Sequence, residues 1–591
     1  MQQSRDERAA PISPCRYARA FVAGLLHAAL LGLAFPPMGW WPAAFVAPVP
    51  LFWIACRSRG SGFRAGFWAM LGVAPFWVYT HAWVASVSAA GVYPLVLYLS
   101  AYTWAFVVLV RRCLRARLPR SSVLVVVWCG LEFFRAAIGW SGYAWYMLGH
   151  PMIDSPDSVL AWPASIGGVP LVSALVALPG AVWVTRARAG SAWGMAPTVL
   201  TCGLLITWIG WGGLRPASST HGGMRPLRVG IVQTNVPQDN RIDWTTAQRL
   251  DDWLGIREQT RSLAVTDPAP ELIVWPEGLV PGWTFDPVSL DRERKSGVVW
   301  VIQPDSDDQA QRISEYPART PASRVADEIL EEQRRLGIPM LVGSVAFDDL
   351  RIERGDAGIE YNRGAMYNSV FLVRDGRVGD LWYDKIRLTP FGEIMPYISA
   401  WPWLEDRLLS IGAAGMSFAL APGRSWKTLP LGRARGGDVV LATPICFEAT
   451  TPSVCRRLVR QATRDGSPTV MINVSNDGWF ARSDRGRRMH AHAARWRCVE
   501  LGVPMVRVAN TGVSGAIDGR GRVLLEMPAR QADEAVVAVD PAFSGTLYSR
   551  FGEWAGWGSL GLLGVLCWMG RARKSRSMVD RPEETEGEEP A

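Results

Sequence analysis

Seven apolar stretches crowd the first 213 residues, and an eighth lies at 554–570. The seven span 18–35, 42–56, 63–80, 92–110, 121–138, 163–185 and 193–213. A helix needs about 20 apolar residues to cross a hydrocarbon core of ~30 Å. Inside that core no water is present to bond the backbone, so each stretch must satisfy its own amides as a helix. This predicts a polytopic α-helical membrane domain of about eight transmembrane helices. The stretch 42–56 is short and holds Pro42, Pro48 and Pro50, so a broken or partly inserted helix is expected there. Because further spans follow, 18–35 reads as a retained helix and not as a cleaved signal.

The arginines fix the sidedness. Arg57, Arg59 and Arg64 lie between the second and third spans, and five more arginines lie between Arg111 and Arg120. Arg186 and Arg188 separate the sixth and seventh, and Arg571, Arg573, Lys574 and Arg576 follow the last. The alternate loops, 36–41, 81–91 and 139–162, have no Lys or Arg. Positive loops stay in the cytoplasm. The expected order is therefore a cytoplasmic N-terminus over 1–17, seven crossings in 18–213, and a linker over 214–226. A large domain outside the cytoplasm follows over 227–545, and the return helix 554–570 leads to a cytoplasmic tail over 571–591. That tail is acidic and expected to be disordered.

The outer domain is built differently. Residues 225–545 carry dense Asp, Glu and Arg, whereas 18–213 hold few acidic groups, and the net charge of +9 gathers in short clusters between apolar spans. That distribution is not a nucleic-acid footprint. Apolar strand-like runs alternate with helical patterns: 246–264, 326–336, 453–464 and 487–501 read as helices, and 339–347, 368–374, 438–446, 469–475 and 505–509 as strands. Such alternation predicts a layered α/β domain. Residues 287–325 are polar without a clear period and read as an insertion.

Three stretches of this domain carry chemistry. Leu272-Ile273-Val274-Trp275-Pro276-Glu277 is an apolar strand ending on a carboxylate. The segment Tyr383 to Glu393 carries Lys385 among turn residues, and Ala442-Thr443-Pro444-Ile445-Cys446-Phe447-Glu448 follows a β-rich run. Taken alone, a strand-end cysteine is most often buried core. A carboxylate, an ammonium and a thiol, each at the edge of an apolar strand or loop, make a complete acyl-transfer set. Cysteine usage fits this: Cys446, Cys455 and Cys498 are an odd number, so at least one thiol must stay outside any disulfide framework.

In that order, Glu277, Lys385 and Cys446 resemble the Glu-Lys-Cys triad of the nitrilase superfamily. The motifs WPEG, KIRLTPFGEIMP, PICFE and VSNDGWF together resemble its apolipoprotein N-acyltransferase branch. The resemblance implies an α-β-β-α sandwich, placed in the periplasm and tethered to a Gram-negative inner membrane. It implies Cys446 as nucleophile, Glu277 as proton acceptor and Lys385 as oxyanion stabiliser. Glu393 and Glu448 are the supporting carboxylates, with Glu393 implied as the closer partner of Lys385. Trp244, Phe447, Trp479 and Phe480 are expected to contact substrate. Phe447 stands where relatives often have Tyr, and Ala481 where they have Gly. No metal and no cofactor is expected. The implied partners are a phospholipid acyl donor and a diacylglyceryl lipoprotein acceptor. The competing expectation is a membrane-tethered amidohydrolase acting on a small amide, but eight spans favour a lipid substrate.

Two further features sit in the membrane part. Glu132 and Arg135, one helical turn apart, read as a structural ion pair or a headgroup contact. The aromatic loop Gly142 to His150 reads as an interfacial belt, with His150 structural. On the 487–501 helix, Arg495 and Glu500 are expected to serve packing and ion pairing.

Overall fold

The computed structural model describes residues 15–579, apart from 59–60, 87, 90, 117, 187–195, 215–223, 238–244, 283, 356–357, 391, 395–419 and 435. The expected substrate contact Trp244, most of the linker and the end of the tail lie outside the described residues.

The helical part comprises Cys15–Ala34, Phe63–His81, Val92–Cys113, Arg120–Ala137, Val169–Arg186, Ala196–Leu214 and the last helix, Trp554–Val579. Among the described residues three helices, at Tyr17–Ala34, Val92–Ala116 and Val169–Arg186, are long and apolar enough to cross a membrane. The proline-rich stretch is broken, as Ala43–Val46 and Val49–Arg57. The first helix crosses Phe63–His81 at two glycines. A Cβ on Gly24 would lie 2.2 Å from the Ala69 carbonyl oxygen, and one on Gly72 2.2 Å from that of Phe21. Small residues at such crossings let backbones touch, which drives helix association where lipid removes the hydrophobic drive.

Glu132 and Arg135 do not settle as a pair with each other. Glu132 Oε1 accepts from the Leu148 amide at 2.6 Å, and Arg135 donates to the carbonyls of Trp145 at 2.7 Å and Tyr146 at 3.2 Å. Buried charges need partners, and here the partner is loop backbone. The two side chains thus fasten the aromatic loop 142–149 to the helix that precedes it.

The domain that follows the seventh apolar stretch is a sandwich of two six-stranded sheets. One runs Asp533–Val539, Leu227–Gln233, Leu272–Val274, Met340–Phe347, Met366–Arg374, Arg377–Asp384. The other runs Leu429–Leu431, Val439–Ala442, Thr469–Ser475, Met505–Ala509, Ser514–Ile517, Val523–Met527. The central pairings are parallel: 227–233 with 272–274, 272–274 with 340–347, and 439–442 through 469–475 to 505–509. These strands read as near-continuous apolar runs because both faces are covered. Between the sheets, Val229, Ile231, Val274 and Leu341 pack with Leu441, Val470, Ile472 and Val506, all buried. The helices Thr246–Ala264 and Arg324–Leu336 cover the first sheet, and Pro452–Ala462 and Asp484–Leu501 the second.

The expected insertion is ordered. Asp286 and Ser306 cap the helices Pro287–Ser296 and Asp307–Arg312, and Val299–Val301 pairs with Arg319–Pro321. Arg312 bonds Asp251 at 2.7 Å, docking the segment on the first covering helix.

The helix Asp484–Leu501 also joins the sandwich to the helical part. Arg495 bonds Asp154 at 2.8 Å and the Ile153 carbonyl at 2.9 Å. Glu500 accepts from the Val169 amide and pairs with Arg497, while buried His150 stacks on Trp496. Arg485 lies over the Tyr79 ring. The three loops without Lys or Arg all meet the sandwich: 36–41 beside Arg488 and Arg495, 81–91 through Trp83 against Phe480, and 139–162 through Asp154.

Candidate active site

Each candidate reactive side chain sits just past the end of a strand. Glu277 is three residues beyond Leu272–Val274, and Lys385 immediately follows Arg377–Asp384. Cys446 lies four residues past Val439–Ala442 and opens a short 3-10 turn. The strand expected to reach 446 therefore ends early, leaving only an isolated bridge from Ile445 to Val474. The Cys446 backbone adopts φ of +50°. For a side-chain-bearing residue this left-handed conformation costs roughly 1–2 kcal/mol, and such strain persists where surroundings over-determine the backbone. Here Asn473 Nδ2 donates to the Pro444 carbonyl at 2.8 Å and to that of Cys446 at 3.4 Å, holding the turn.

Lys385 is the hub. Its Nζ lies 2.8 Å from Glu393 Oε1, 3.3 Å from Glu277 Oε1 and 3.4 Å from Thr389 Oγ1, and the side chain is 1% exposed. Burial disfavours the ammonium, but Glu277, Glu393 and Cys446 outweigh it and hold Lys385 well above the usual lysine range. Glu393 also suffers burial, yet Lys385 and the Thr389 amide keep its carboxyl below its ordinary value. Glu277 is gripped on both oxygens. Asn368 Nδ2 donates to Oε1 at 2.6 Å, and the Asn476 amide donates to Oε2 at 2.7 Å. Cys446 is buried beside these charges. Burial first, then Glu277, push its thiol up, and Lys385 only partly offsets them. The resting nucleophile candidate is therefore a thiol, since thiolate forms only above the pKa.

Glu448 does something else. It accepts from the amides of Ile386 and Arg387 at 2.8 Å and of Ile445 at 2.9 Å, and from the Tyr383 hydroxyl. It therefore ties the Lys385 loop to the Cys446 turn and does not touch Lys385. Phe447 is half-buried against the sandwich core. Phe480 is buried, edge-on to Trp83 with centroids 4.7 Å apart and near Trp145, while Trp479 beside it is partly exposed. Cys455 and Cys498 are free, buried core thiols.

Sequence reasoning did not single out Asn368, whose only signal is an amide inside the apolar run 366–374. It also missed a second buried cluster behind the VSNDGWF turn. Arg507 Nη2 bonds Asp477 at 2.8 Å, and His490 Nδ1 lies 2.9 Å from Asp477 Oδ1. Burial opposes the charge on Asp477, but Arg507 and His490 hold it well below the usual carboxylate range; burial keeps His490 below its own. Among the described residues no group of His, Cys, Asp and Glu could hold a metal ion.

Two family models match the chain. The carbon-nitrogen hydrolase model covers 228–547, and the apolipoprotein N-acyltransferase N-terminal domain model covers 27–182. Relatives named apolipoprotein N-acyltransferase include one from Geobacter metallireducens, 29% identical over 94% of this chain and 96% of that protein. Another, from Rhodopseudomonas palustris, is 27% identical over 90% and 92%, and one from Pseudomonas aeruginosa 28% over 93% and 95%. A solved amidase from Nesterenkonia sp. AN1 aligns at 15% identity over 54% of this chain and 92% of that one, with a TM-score of only 0.29. The chain belongs to the carbon-nitrogen hydrolase family, and the helical domain in front of its sandwich is that of the apolipoprotein N-acyltransferases.

Proposed function

We propose that this chain is an apolipoprotein N-acyltransferase that moves a fatty acyl group from a phospholipid to the α-amine of an N-terminal diacylglyceryl-cysteine, through a thioester on Cys446. The observation that carries the reading is fully buried Lys385, shared by Glu277 and Glu393 beside a buried thiol. Because that thiol is not ionised at rest, its proton must leave as it attacks, and Glu277 is the base placed to take it. The new C–S bond forms at the ester carbonyl, whose oxygen becomes an oxyanion facing the Lys385 ammonium. As the intermediate collapses, the ester C–O bond breaks and Glu277 returns the proton to the departing lysophospholipid hydroxyl. In the second half the acceptor amine attacks the thioester and Glu277 takes the amine proton. As the C–S bond breaks, Glu277 passes that proton to the leaving sulfur, which restores the Cys446 thiol and the free carboxylate. Ping-pong kinetics follow from this order.

A lipid donor is supported by the helical domain, whose loops press against the sandwich near the VSNDGWF turn. Orientation is supported by the loops free of Lys and Arg, which face the sandwich. We take the eight spans, an inner-membrane location and a periplasmic sandwich as part of this reading. A reporter fused after residue 300 is then extracytoplasmic and one after 580 cytoplasmic; both on one side would remove a span. The decisive assay supplies purified protein with phospholipid and a diacylglyceryl peptide, in parallel with a panel of small amides. Peptide acylation with one acyl mass on the Cys446 peptide is expected. Amide hydrolysis without any acyl adduct from phospholipid would replace this reading with the amidohydrolase one.

A further inference from the structure

Beside the Cys446 turn, a cavity of about 310 Å³ opens between the sandwich and the helical domain. Its floor includes Phe447, next to Cys446, and Arg387, two residues from Lys385. Its walls are the outer end of the Arg120–Ala137 helix and the start of the Trp554–Val579 helix. Arg456 enters from the helix Pro452–Ala462, where its Nε donates to the Ser549 carbonyl at 3.0 Å and its Nη2 to that of Arg550 at 2.6 Å. Two carbonyls thus fix the guanidinium, and Nη1 has no such carbonyl partner. Gly552 makes room for it: a Cβ there would stand 3.2 Å from Arg456 Cζ and 3.3 Å from Nη1. Thr450, Thr451 and Ser453 line the same space, and the two threonine hydroxyls donate to the Phe447 carbonyl.

Among the described residues that line it, the one carboxylate is that of Glu553. Burial pushes its carboxyl above the usual range, against the pull of Arg497 and Arg456, so it opposes an anion less than an ordinary glutamate would. The mouth is apolar: Phe551 is 68% exposed and Trp557 55%. Aromatic residues at the ends of membrane helices mark the level of lipid headgroups. Fixed guanidinium groups suit phosphate, whose oxygens accept several N–H bonds at once.

We propose that this cavity binds the phosphate of the phospholipid donor, with Arg456 and Arg387 as its cationic contacts and the acyl ester directed past Phe447 towards Cys446. The assignment rests on the phospholipid-donor reading above and adds where the headgroup sits. The residues involved lie outside the triad, so they govern capture of the lipid and not the bond-making step.

The first test compares two donors for Cys446 acylation in the full-length protein: a phospholipid and a short, phosphate-free thioester. Ser453→Glu places an anion in the cavity one helical turn from Arg456, where it competes for the guanidinium, and Arg456→Gln removes the cation. In both variants the ratio of kcat/KM for phospholipid to kcat/KM for the thioester should fall about tenfold, through KM. Equal losses with both donors would overturn the proposal. The second test uses a phospholipid with a photoreactive headgroup, on the wild type and on Cys446→Ala in nanodiscs. Labels should fall within 447–457 and 551–557, weaken in Ser453→Glu, and resist a large excess of inorganic phosphate. Labels elsewhere, or displacement by inorganic phosphate, would overturn the lipid assignment. Labels at this site with no acyl adduct on Cys446 would uphold the cavity and sink the thioester reading instead, so the two failures are distinguishable.

Discussion

Two buried charge clusters lie in the same sandwich, and their bookkeeping differs. Behind the VSNDGWF turn, Asp477 meets Arg507 and a neutral His490, so one negative charge faces one positive charge. Around Lys385, one ammonium faces two carboxylates, Glu277 and Glu393. In the balanced cluster the charges offset each other, and its bonds hold strands 469–475 and 505–509 and the 484–501 helix together. The unbalanced one carries spare basicity next to a protonated thiol. A buried pair broken by removing one partner costs about 3–5 kcal/mol. The difference separates a cluster whose charges cancel from the one in which the proposed chemistry has a carboxylate to spare.

The sharpest way to break the comparison is to neutralise one member of each. Cys446→Ala should abolish transfer, while Cys455→Ala and Cys498→Ala should not. Glu277→Gln should also block both half-reactions, with a smaller loss of apparent Tm than breaking the Asp477–Arg507 pair. Lys385 keeps Glu393 as its counter-ion, while only one of the two donors, Asn368 or the Asn476 amide, loses its oxygen. Lys385→Ala should slow turnover by at least about 100-fold, the usual loss for one oxyanion donor. Near-normal turnover in the Glu277 or Lys385 variant would mean that the triad is wrongly placed.

The balanced cluster should respond in stability. Asp477→Asn leaves Arg507 buried without its counter-ion, so an apparent loss of about 3–5 kcal/mol is expected. Thermal unfolding in detergent reads this, alongside Glu277→Gln as the contrast. Should both variants unfold at the wild-type temperature, the division between a shaping cluster and a reacting one fails.

A subtler effect separates the charges around the thiol. Glu277 raises the Cys446 pKa and Lys385 lowers it, with burial the largest cause of the net rise. At any given pH the wild-type site therefore holds less thiolate than a free cysteine near pKa ~8.5. The pH midpoint for alkylation of Cys446 should lie above that value. It should move down in Glu277→Gln, which is inactive in transfer, and up in Lys385→Met. Movement in the opposite directions would reverse the assigned signs.

Two of the candidate reactive residues were legible in sequence because each follows a run whose apolar character is unmistakable: LIV before Glu277, VVLA before Cys446. Lys385 follows the more polar strand Arg377–Asp384 and stood out only by the turn residues around it. The helices at 326–336 and 453–464 show a clear helical period of apolar positions. What bound those residues together was not legible. Asn368 and Glu277 are 91 positions apart and Asp477 and Arg507 thirty, and no local pattern announces such contacts. Glu132 and Arg135 misled because i, i+3 spacing suggests mutual pairing, whereas unpaired loop carbonyls and an amide competed for them. The polar segment 287–325 hid its order because its helices are short and bury little. The closing strand Asp533–Val539 depends on pairing with Leu227–Gln233, far away in the chain.

The Trp479-Phe480 turn sharpens the comparison from outside the two clusters. Phe480 is pinned by Trp83 and Trp145, and Trp479 beside it is partly exposed. A tail exposed to water costs ~0.8 kcal/mol per CH₂, so an aromatic bridge to the bilayer favours a lipid donor in particular. Trp479→Ala should impair acylation of Cys446 by phospholipid several-fold more than by a short thioester. Equal impairment would show that the turn supports the triad and does not guide lipid.

The smallest expected effect lies one residue further on. The Ser483 amide donates to the Phe480 carbonyl at 2.8 Å, closing a four-residue turn whose second residue, Ala481, has φ of +45° and ψ of −115°. These are the angles of a type II′ turn, which glycine adopts freely and alanine does not. Such a conformation costs about 1–3 kcal/mol for a side-chain-bearing residue. Glycine would relieve it while losing about 0.4–1 kcal/mol through the unfolded chain. Ala481→Gly should therefore raise the apparent Tm slightly, with the ring contacts of Phe480 retained and Cys446 acylation within about twofold of wild type. A lower Tm would mean that the methyl group makes packing contacts worth more than the strain it imposes.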